Sequence, residues 1–382
     1  RDEDAMTRWT PEHVAAIRPG EIGRLPLIED SDVVPVAANI DIWDSWPIRT
    51  PDGSIADVCG HVVWVALAAP AEGDPGLRHD IARQRAFIAH DDGTYSDLGM
   101  IFDVNDPLGT RRWAGSTVLD GDHVYVYYTA VGVTDAEPPG FRQRLAVAAG
   151  RLSCDDGRPC FDRWSDHVEL FEPDARWYDV VDQIDGEPGF IKAFRDPFPF
   201  VDPSTGSEYM FFTGSLAPSR STSDFNGAVG VARRTGDGLR DWELLEPIIT
   251  ADGVNNELER PHMVVVDGRY YLFFSTQYRT FHPDLEAPTG LYGFVADDVL
   301  GPYAPLNGHG LVFANPPERP VQVYSWLVLN DLSVVGFVDG YGIGADDQSL
   351  PSPTRTERRA RFGGTFSPTV NITVDGDHAR LI

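Results

Sequence analysis

Along the chain, apolar positions gather into short runs of β-branched and aromatic residues bounded by Gly, Pro, Asp and Asn. This is the pattern of many short strands rather than of amphipathic helices. The runs that predict strands are 61–69, 124–131, 144–152, 208–214, 228–233, 263–276, 291–296, 326–338 and 369–382. Several contain or follow a turn signal. Asp120-Gly121 precedes Val124-Tyr125-Val126-Tyr127-Tyr128, Ser204-Thr205-Gly206 precedes Tyr209-Met210-Phe211-Phe212, and Asp267-Gly268 precedes Tyr270-Tyr271-Leu272-Phe273-Phe274. Asp-Gly suits such hairpins because a type I′ turn needs positive φ at both central residues. One helix start is legible: Thr10 offers a capping hydroxyl, Pro11 the first helical position and Glu12 an acid in the first turn. That helix is expected to run through Val14 and Ile17, stop before Pro19-Gly20, and serve as a lid or brace within a lead-in over 1–30.

Recurring antiparallel hairpins without βαβ alternation predict an all-β fold, a propeller with decorated loops whose strand starts converge on one funnel. Periodicity by itself leaves a β-sandwich open. The 382 residues fit one such unit, and 42% hydrophobic residues are enough for a large core. With 31 basic and 59 acidic residues the formal charge is −28. Nucleic acid and anionic membrane surfaces are therefore excluded as partners, because a polyanion is repelled. No apolar run approaches the roughly 18 residues of a transmembrane helix. Lys192 is the single lysine. Loss of lysine with a large acidic excess fits a high-salt habitat, where salt screens the self-repulsion; a GC-rich genome explains the lysine loss alone.

Three cysteines are present. Cys154 and Cys160 flank the turn-like Asp-Asp-Gly-Arg-Pro and are the pair expected to bridge in an oxidising compartment, leaving Cys59 as a buried thiol. The chain opens Arg1-Asp2-Glu3-Asp4 with no apolar leader; the expectation is an extracellular protein whose leader has been trimmed.

In so acidic a chain most carboxylates are solvated, so the informative ones sit among aromatics and prolines. In Ile42-Trp43-Asp44-Ser45-Trp46-Pro47 an acid lies between two indoles. Indole faces stack on sugar rings, and a carboxylate there can reach an anomeric carbon; a core Trp pair with Asp44 capping a turn is the alternative. In Phe194-Arg195-Asp196-Pro197 an arginine keeps its neighbouring acid ionised. In Asn256-Glu257-Leu258-Glu259-Arg260-Pro261-His262 two glutamates at i, i+2 point the same way at a strand entrance. Their mutual repulsion should raise one pKa, as a general acid requires. Retaining glycosidases set two carboxyl groups about 5–5.5 Å apart across the scissile bond. His262 is read as a structural hydrogen-bonder.

These blocks, with Trp113-Ala114-Gly115-Ser116, Gly301-Pro302-Tyr303-Ala304-Pro305-Leu306-Asn307 and Tyr324-Ser325, resemble in order and over nearly the whole chain the levansucrases, inulosucrases and related β-fructofuranosidases. The resemblance implies a single-domain five-bladed β-propeller with a central pocket, acting on sucrose by double displacement. It implies Asp44 as nucleophile, Glu259 as acid/base and Asp196 as stabiliser. It further implies Trp43 and Trp113 around the fructose unit, and Arg195, Glu257 and Tyr324 around the glucose unit. The partners implied are a sucrose donor and a fructan, oligosaccharide or water acceptor.

Four positions depart from the family pattern. Ala114 replaces a serine near the nucleophile, Trp326 a histidine, and Gln277 an Arg or His of the acceptor region. Asn256 stands where calcium-binding relatives have an acid, so no calcium site of the usual kind and no cofactor are expected. The leading expectation is a fructosyltransferase with hydrolysis as side reaction. A mainly hydrolytic enzyme and a non-catalytic fructan-binding propeller are the other readings; the Glu-Cys acid block of the separate invertase family is absent from this sequence. The acidic excess carries its own prediction: the melting temperature should rise with molar salt, and a melting temperature indifferent to salt would remove the high-salt reading.

Overall fold

The computed structural model describes residues 6–102, 108–186, 189–346 and 354–382; the acidic opening at 1–4 lies outside them. Within these residues strand is the dominant regular structure, arranged in four sheets of meander order. β1 (Ile40–Arg49) leads into Val62–Pro70, Arg83–Ala89 and Tyr95–Met100. β2 (Arg111–Asp120) leads into His123–Val131 and Gln143–Asp155. Parallel pairing of Ile48 and Arg49 with Thr117 and Val118 joins these two meanders into one nine-stranded sheet. β3 (Phe194–Val201), β4 (Glu259–Val266) and β5 (Val323–Val328) open the other three sheets.

The predicted strand runs all fall on strands, and the Asp267-Gly268 hairpin has φ of 50° and 78°, as its turn type requires. The helix is shorter than expected, Pro11–Ala15, and the lead-in is mainly a brace. Thr7-Arg8 pairs in parallel with Ile249-Thr250, and Gly23-Arg24 with Phe313-Ala314, so one segment covers the edges of two sheets. Trp9 anchors it: the indole is buried edge-on against Phe274 and Phe281 and donates to the His309 carbonyl at 3.1 Å.

One irregularity recurs in all five opening strands. The register slips between Ile42 and Ser45, Trp113 and Gly115, Arg195 and Phe198, Glu259 and His262, and Tyr324 and Leu327. A bulge adds one residue to one strand and re-aims the side chains around it. In β3, β4 and β5 the slip places Asp196, Arg260 and Ser325 at φ of 62°, 53° and 58°, conformations that cost a non-glycine residue roughly 1–3 kcal/mol each. In β2 the slip needs glycine, because a Cβ on Gly115 would lie 1.9 Å from the Tyr127 carbonyl oxygen.

The disulfide differs from expectation. Cys59 bonds Cys154, with Cα atoms 5.8 Å apart, and Cys160 is an exposed free thiol. The reason is register: Cys154 faces Pro159 across the hairpin and Cys160 faces Ser153. The two cysteines are one residue out of step, so their side chains leave opposite faces of the sheet. The Cys59–Cys154 bridge closes a sequence separation of 95 between the first two meanders. Cys59→Ser should therefore cost about 2–4 kcal/mol of stability and lower the melting temperature, while Cys160→Ser leaves it in place. Equal melting of the parent with and without reductant would contradict this.

Candidate active site

All nine residues singled out in sequence, Trp43, Asp44, Trp113, Arg195, Asp196, Glu257, Glu259, Gln277 and Tyr324, line one cavity of about 230 Å³. It sits at the starts of the five opening strands, where the bulges turn polar side chains inward. Trp46 does not join it: its indole is buried and donates to Thr117 Oγ1 at 2.9 Å, so only one of the two indoles flanking Asp44 faces the site.

Arg195 organises the acids. Its Nη2 donates to Glu257 Oε1 at 2.8 Å and to Glu259 Oε1 at 2.9 Å, and its Nε lies 3.9 Å from Asp196 Oδ2. The second oxygen of Glu259 accepts from the Tyr324 hydroxyl, which also hydrogen-bonds Gln277. Asp196 is fixed from three sides. Its N–H donates to Thr129 Oγ1 at 2.9 Å, and its Oδ2 accepts from Thr213 Oγ1 at 2.9 Å and from the Arg260 N–H at 3.2 Å. Thr129 in turn donates to the Ala114 carbonyl at 3.0 Å, tying β3 to β2.

Arg260 is the second organiser. Its guanidinium donates to the Ser45 carbonyl at 2.6 Å and to the Ser325 carbonyl and Oγ at 3.1 and 2.9 Å, joining β1, β4 and β5. Asp44 is held by a hydrogen bond to Ser325 and by the field of Arg260. Two buried donors, Trp43 Nε1 and Arg195 Nη1, have no partner among the described residues. A buried N–H left unpaired costs about 1–3 kcal/mol, and both belong to residues of the cavity wall.

Four carboxylates, Asp44, Asp196, Glu257 and Glu259, thus share this space with Arg195 and Arg260. Burial, reinforced by the neighbouring negative charges, pushes Asp196 up to about 6. Burial and then the charge of Glu259 push Glu257 up to about 7, so the rise expected of the glutamate pair falls on Glu257. Burial also raises Asp44, against the opposing pull of Arg260. Burial works against the charge of Arg195, but the surrounding carboxylates outweigh it and hold the guanidinium firmly protonated.

His262 lies outside the cavity. Its Nε2 accepts from the Val328 N–H at 2.8 Å and its Nδ1 donates to the Arg260 carbonyl at 2.8 Å, and burial holds it down to about 3. It is neutral and clasps β4 to β5.

Sequence reasoning missed Arg78, His79, Arg279 and Asp339, which also line the site. The His79 ring stands edge-on to Trp43 and Trp113, at 5.8 and 6.1 Å, and its carbonyl accepts from Trp113 Nε1 at 3.0 Å. Burial, then the charge of Arg78, keeps His79 neutral. Arg78 lies 3.7 Å from Asp339 across the rim. Arg78 and His79 stand on a four-residue helix, Arg279 on a single helical turn and Asp339 just past a strand, where no periodic pattern marks a charged residue as inward-facing.

The sequence matches the Levansucrase/Invertase family over residues 2–228 and 222–381. The chain belongs to this family. It is 32% identical over 397 residues to a levansucrase of Pseudomonas syringae pv. actinidiae, covering 93% of this chain and 85% of that one. A levansucrase of Rahnella aquatilis is 30% identical over 413 residues, covering 98% and 93%. Among solved structures, the inulosucrase from Halalkalicoccus jeotgali bound to kestose is 41% identical with a TM-score of 0.89, covering 99% of this chain and 95% of that one.

The departures from the Levansucrase/Invertase family pattern now have places. Ala114 is fully buried and acts through its carbonyl, while Ser325 supplies the hydroxyl on Asp44. Trp326 turns into the core, edge-on to Phe313 at 5.5 Å, and does not line the cavity. Gln277 lines the cavity as an amide, and a positive charge enters two residues later through Arg279. At Asn256 stands Lys192. Its Nζ donates to the Asp224 carbonyl, to Asn226 Oδ1 at 2.6 Å and to Asn256 Oδ1 at 2.8 Å. The ammonium draws together three segments, the last directly before Glu257.

Because the folded-state pKa of Glu257 is raised from 4.5 to about 7, its contribution to stability is full below pH 4.5 and is lost as pH rises through 7. Glu257→Gln removes that titration and leaves an amide oxygen for Arg195. The variant is expected to show a shallower fall of melting temperature between pH 4.5 and 7 than the parent; parallel curves would contradict the assignment.

Proposed function

We propose that this protein is a sucrose-dependent fructosyltransferase that makes β-fructan or fructooligosaccharides through a covalent fructosyl-enzyme, with sucrose hydrolysis as side reaction. The observation that carries the reading is the convergence of Asp44, Asp196 and Glu259, from three different strands, on one cavity whose wall also carries two unpaired buried donors. Asp44 attacks C2 of the fructosyl unit from one face while the C2–O bond to glucose breaks and Glu259 gives its proton to the departing oxygen. Burial and the charge of Glu259 let Glu257, which shares the Arg195 guanidinium with Glu259, hold a proton near neutrality. Asp196, fixed by Thr129, Thr213 and Arg260, receives the fructosyl hydroxyls and supports the positive charge developing at C2. In the second step Glu259 removes a proton from the acceptor hydroxyl, whose oxygen bonds C2 and releases Asp44. An incoming fructose hydroxyl extends a chain; water gives free fructose.

The same reading takes the five opening strands as the innermost strands of five blades of one propeller spanning 1–382, supported by residues of all five lining a single cavity. An extracellular setting is supported by the Cys59–Cys154 bridge, since disulfides persist in oxidising compartments. The 41% identical inulosucrase favours inulin-type linkage in the product.

The test is incubation with sucrose and separate quantification of free glucose and free fructose. Glucose should exceed fructose, and Asp44→Asn should abolish release of both. Equal amounts would make the enzyme a hydrolase, and unimpaired release by Asp44→Asn would remove the mechanism.

A further inference from the structure

We propose that the end of the molecule opposite the catalytic cavity carries a second carbohydrate site, which takes a neutral oligosaccharide chain. Strands β1 to β4 each run from one cavity to another. Asp44 lines the first and Arg49 the second; on β2 the pair is Trp113 and Val118, on β3 Asp196 and Pro199, on β4 Glu259 and Met263. At about 3.3 Å per residue, these offsets set the cavities roughly 10–17 Å apart. The gap between them, bounded by Trp46, Phe198 and His262, is only about 10 Å³, at the lower limit for a single water. The two cavities are separate, and the far one is the larger, about 540 Å³ against 230 Å³.

Arg49 carries the argument. The residue is 9% exposed, and its guanidinium carbon lies 4.0 Å over the Phe198 ring. Among the described residues its side chain has no hydrogen-bond acceptor and no carboxylate partner. Burial alone pulls its pKa down to about 10. Buried charges are ordinarily paired, because desolvation is otherwise uncompensated. The Arg49 donors open onto the cavity with no protein acceptor among the described residues, so a ligand that brings acceptors can pair them there.

The rest of the wall decides the class. Four carboxylates, Asp52, Asp120, Glu208 and Asp237, face two guanidinium groups, Arg49 and Arg234, in a chain of net charge −28. An anion is repelled by that balance, and a cation leaves Arg49 unpaired. A polyhydroxylated ligand supplies acceptors to Arg49 and donors to the carboxylates, and its C–H faces suit the half-buried rings of Tyr125, Tyr127 and Trp242. That the chain is the enzyme's own fructan product rests on the proposed transferase activity; that the site takes a neutral carbohydrate does not. A product chain held there stays near the enzyme and raises the local acceptor concentration.

Asp44→Asn protein, titrated calorimetrically with inulin-type fructooligosaccharides, should give a two-site isotherm. Arg49→Met should weaken one site at least tenfold, as should Tyr125→Ala, which serves if Arg49→Met does not fold. With Asp44 intact, Tyr125→Ala should release glucose from sucrose at the parent rate while giving shorter products. A one-site isotherm in the Asp44→Asn parent, two intact sites after Tyr125→Ala, or displacement of the sugar by inorganic phosphate would overturn the proposal. Absence of glucose release from sucrose together with a persisting second site would remove the transferase reading and leave this site standing.

Discussion

The structure depends on two buried guanidinium groups that gather acids from separate strands. Arg195 draws Glu257 and Glu259 to the start of β3 and lies beside Asp196, and Arg260 ties the backbones of β1 and β5 to β4. Without them, four carboxylates in a cavity of about 230 Å³ would repel one another and take up protons. With them the raised values of Asp44, Asp196 and Glu257 still follow from burial, reinforced in each case by the charge of Glu259. Stability is sacrificed to keep a proton and a nucleophile in the same dry space.

The bulges are how the fold delivers those groups. A regular strand would send Asp196 and Arg260 to alternate faces at fixed intervals; the register slips and positive φ angles instead aim them at one point. The strain is held by hydrogen bonds that cross between strands, such as Asp196 N–H to Thr129 and Arg260 to Ser325. The same strands continue in regular register beyond the slip, where they close the passage and then open on the far cavity.

Legibility in the sequence follows from this division. Strands such as Val62–Pro70, Glu208–Ser215 and Arg269–Thr276 were readable because their apolar residues are continuous. β1, β2 and β3 escaped the strand reading because Trp-Asp-Ser-Trp-Pro, Trp-Ala-Gly-Ser and Arg-Asp-Pro interrupt the alternation at the bulge. The interruptions that hid the strands were the signal that exposed the chemistry, and all nine predicted residues reached one cavity. Arg78, His79, Arg279 and Asp339 carried no such signal, since an ordinary polar turn looks the same. The cysteine pairing failed because closeness in sequence says nothing of which sheet face each residue takes.

The most direct measurement is to quench the protein with acid during sucrose turnover, digest it and find by mass spectrometry which carboxylate carries sugar. One fructosyl group is expected on Asp44 and none in Asp44→Asn. A fructosyl group on Asp196, or glucose release with no adduct on the Asp44 peptide, would contradict it.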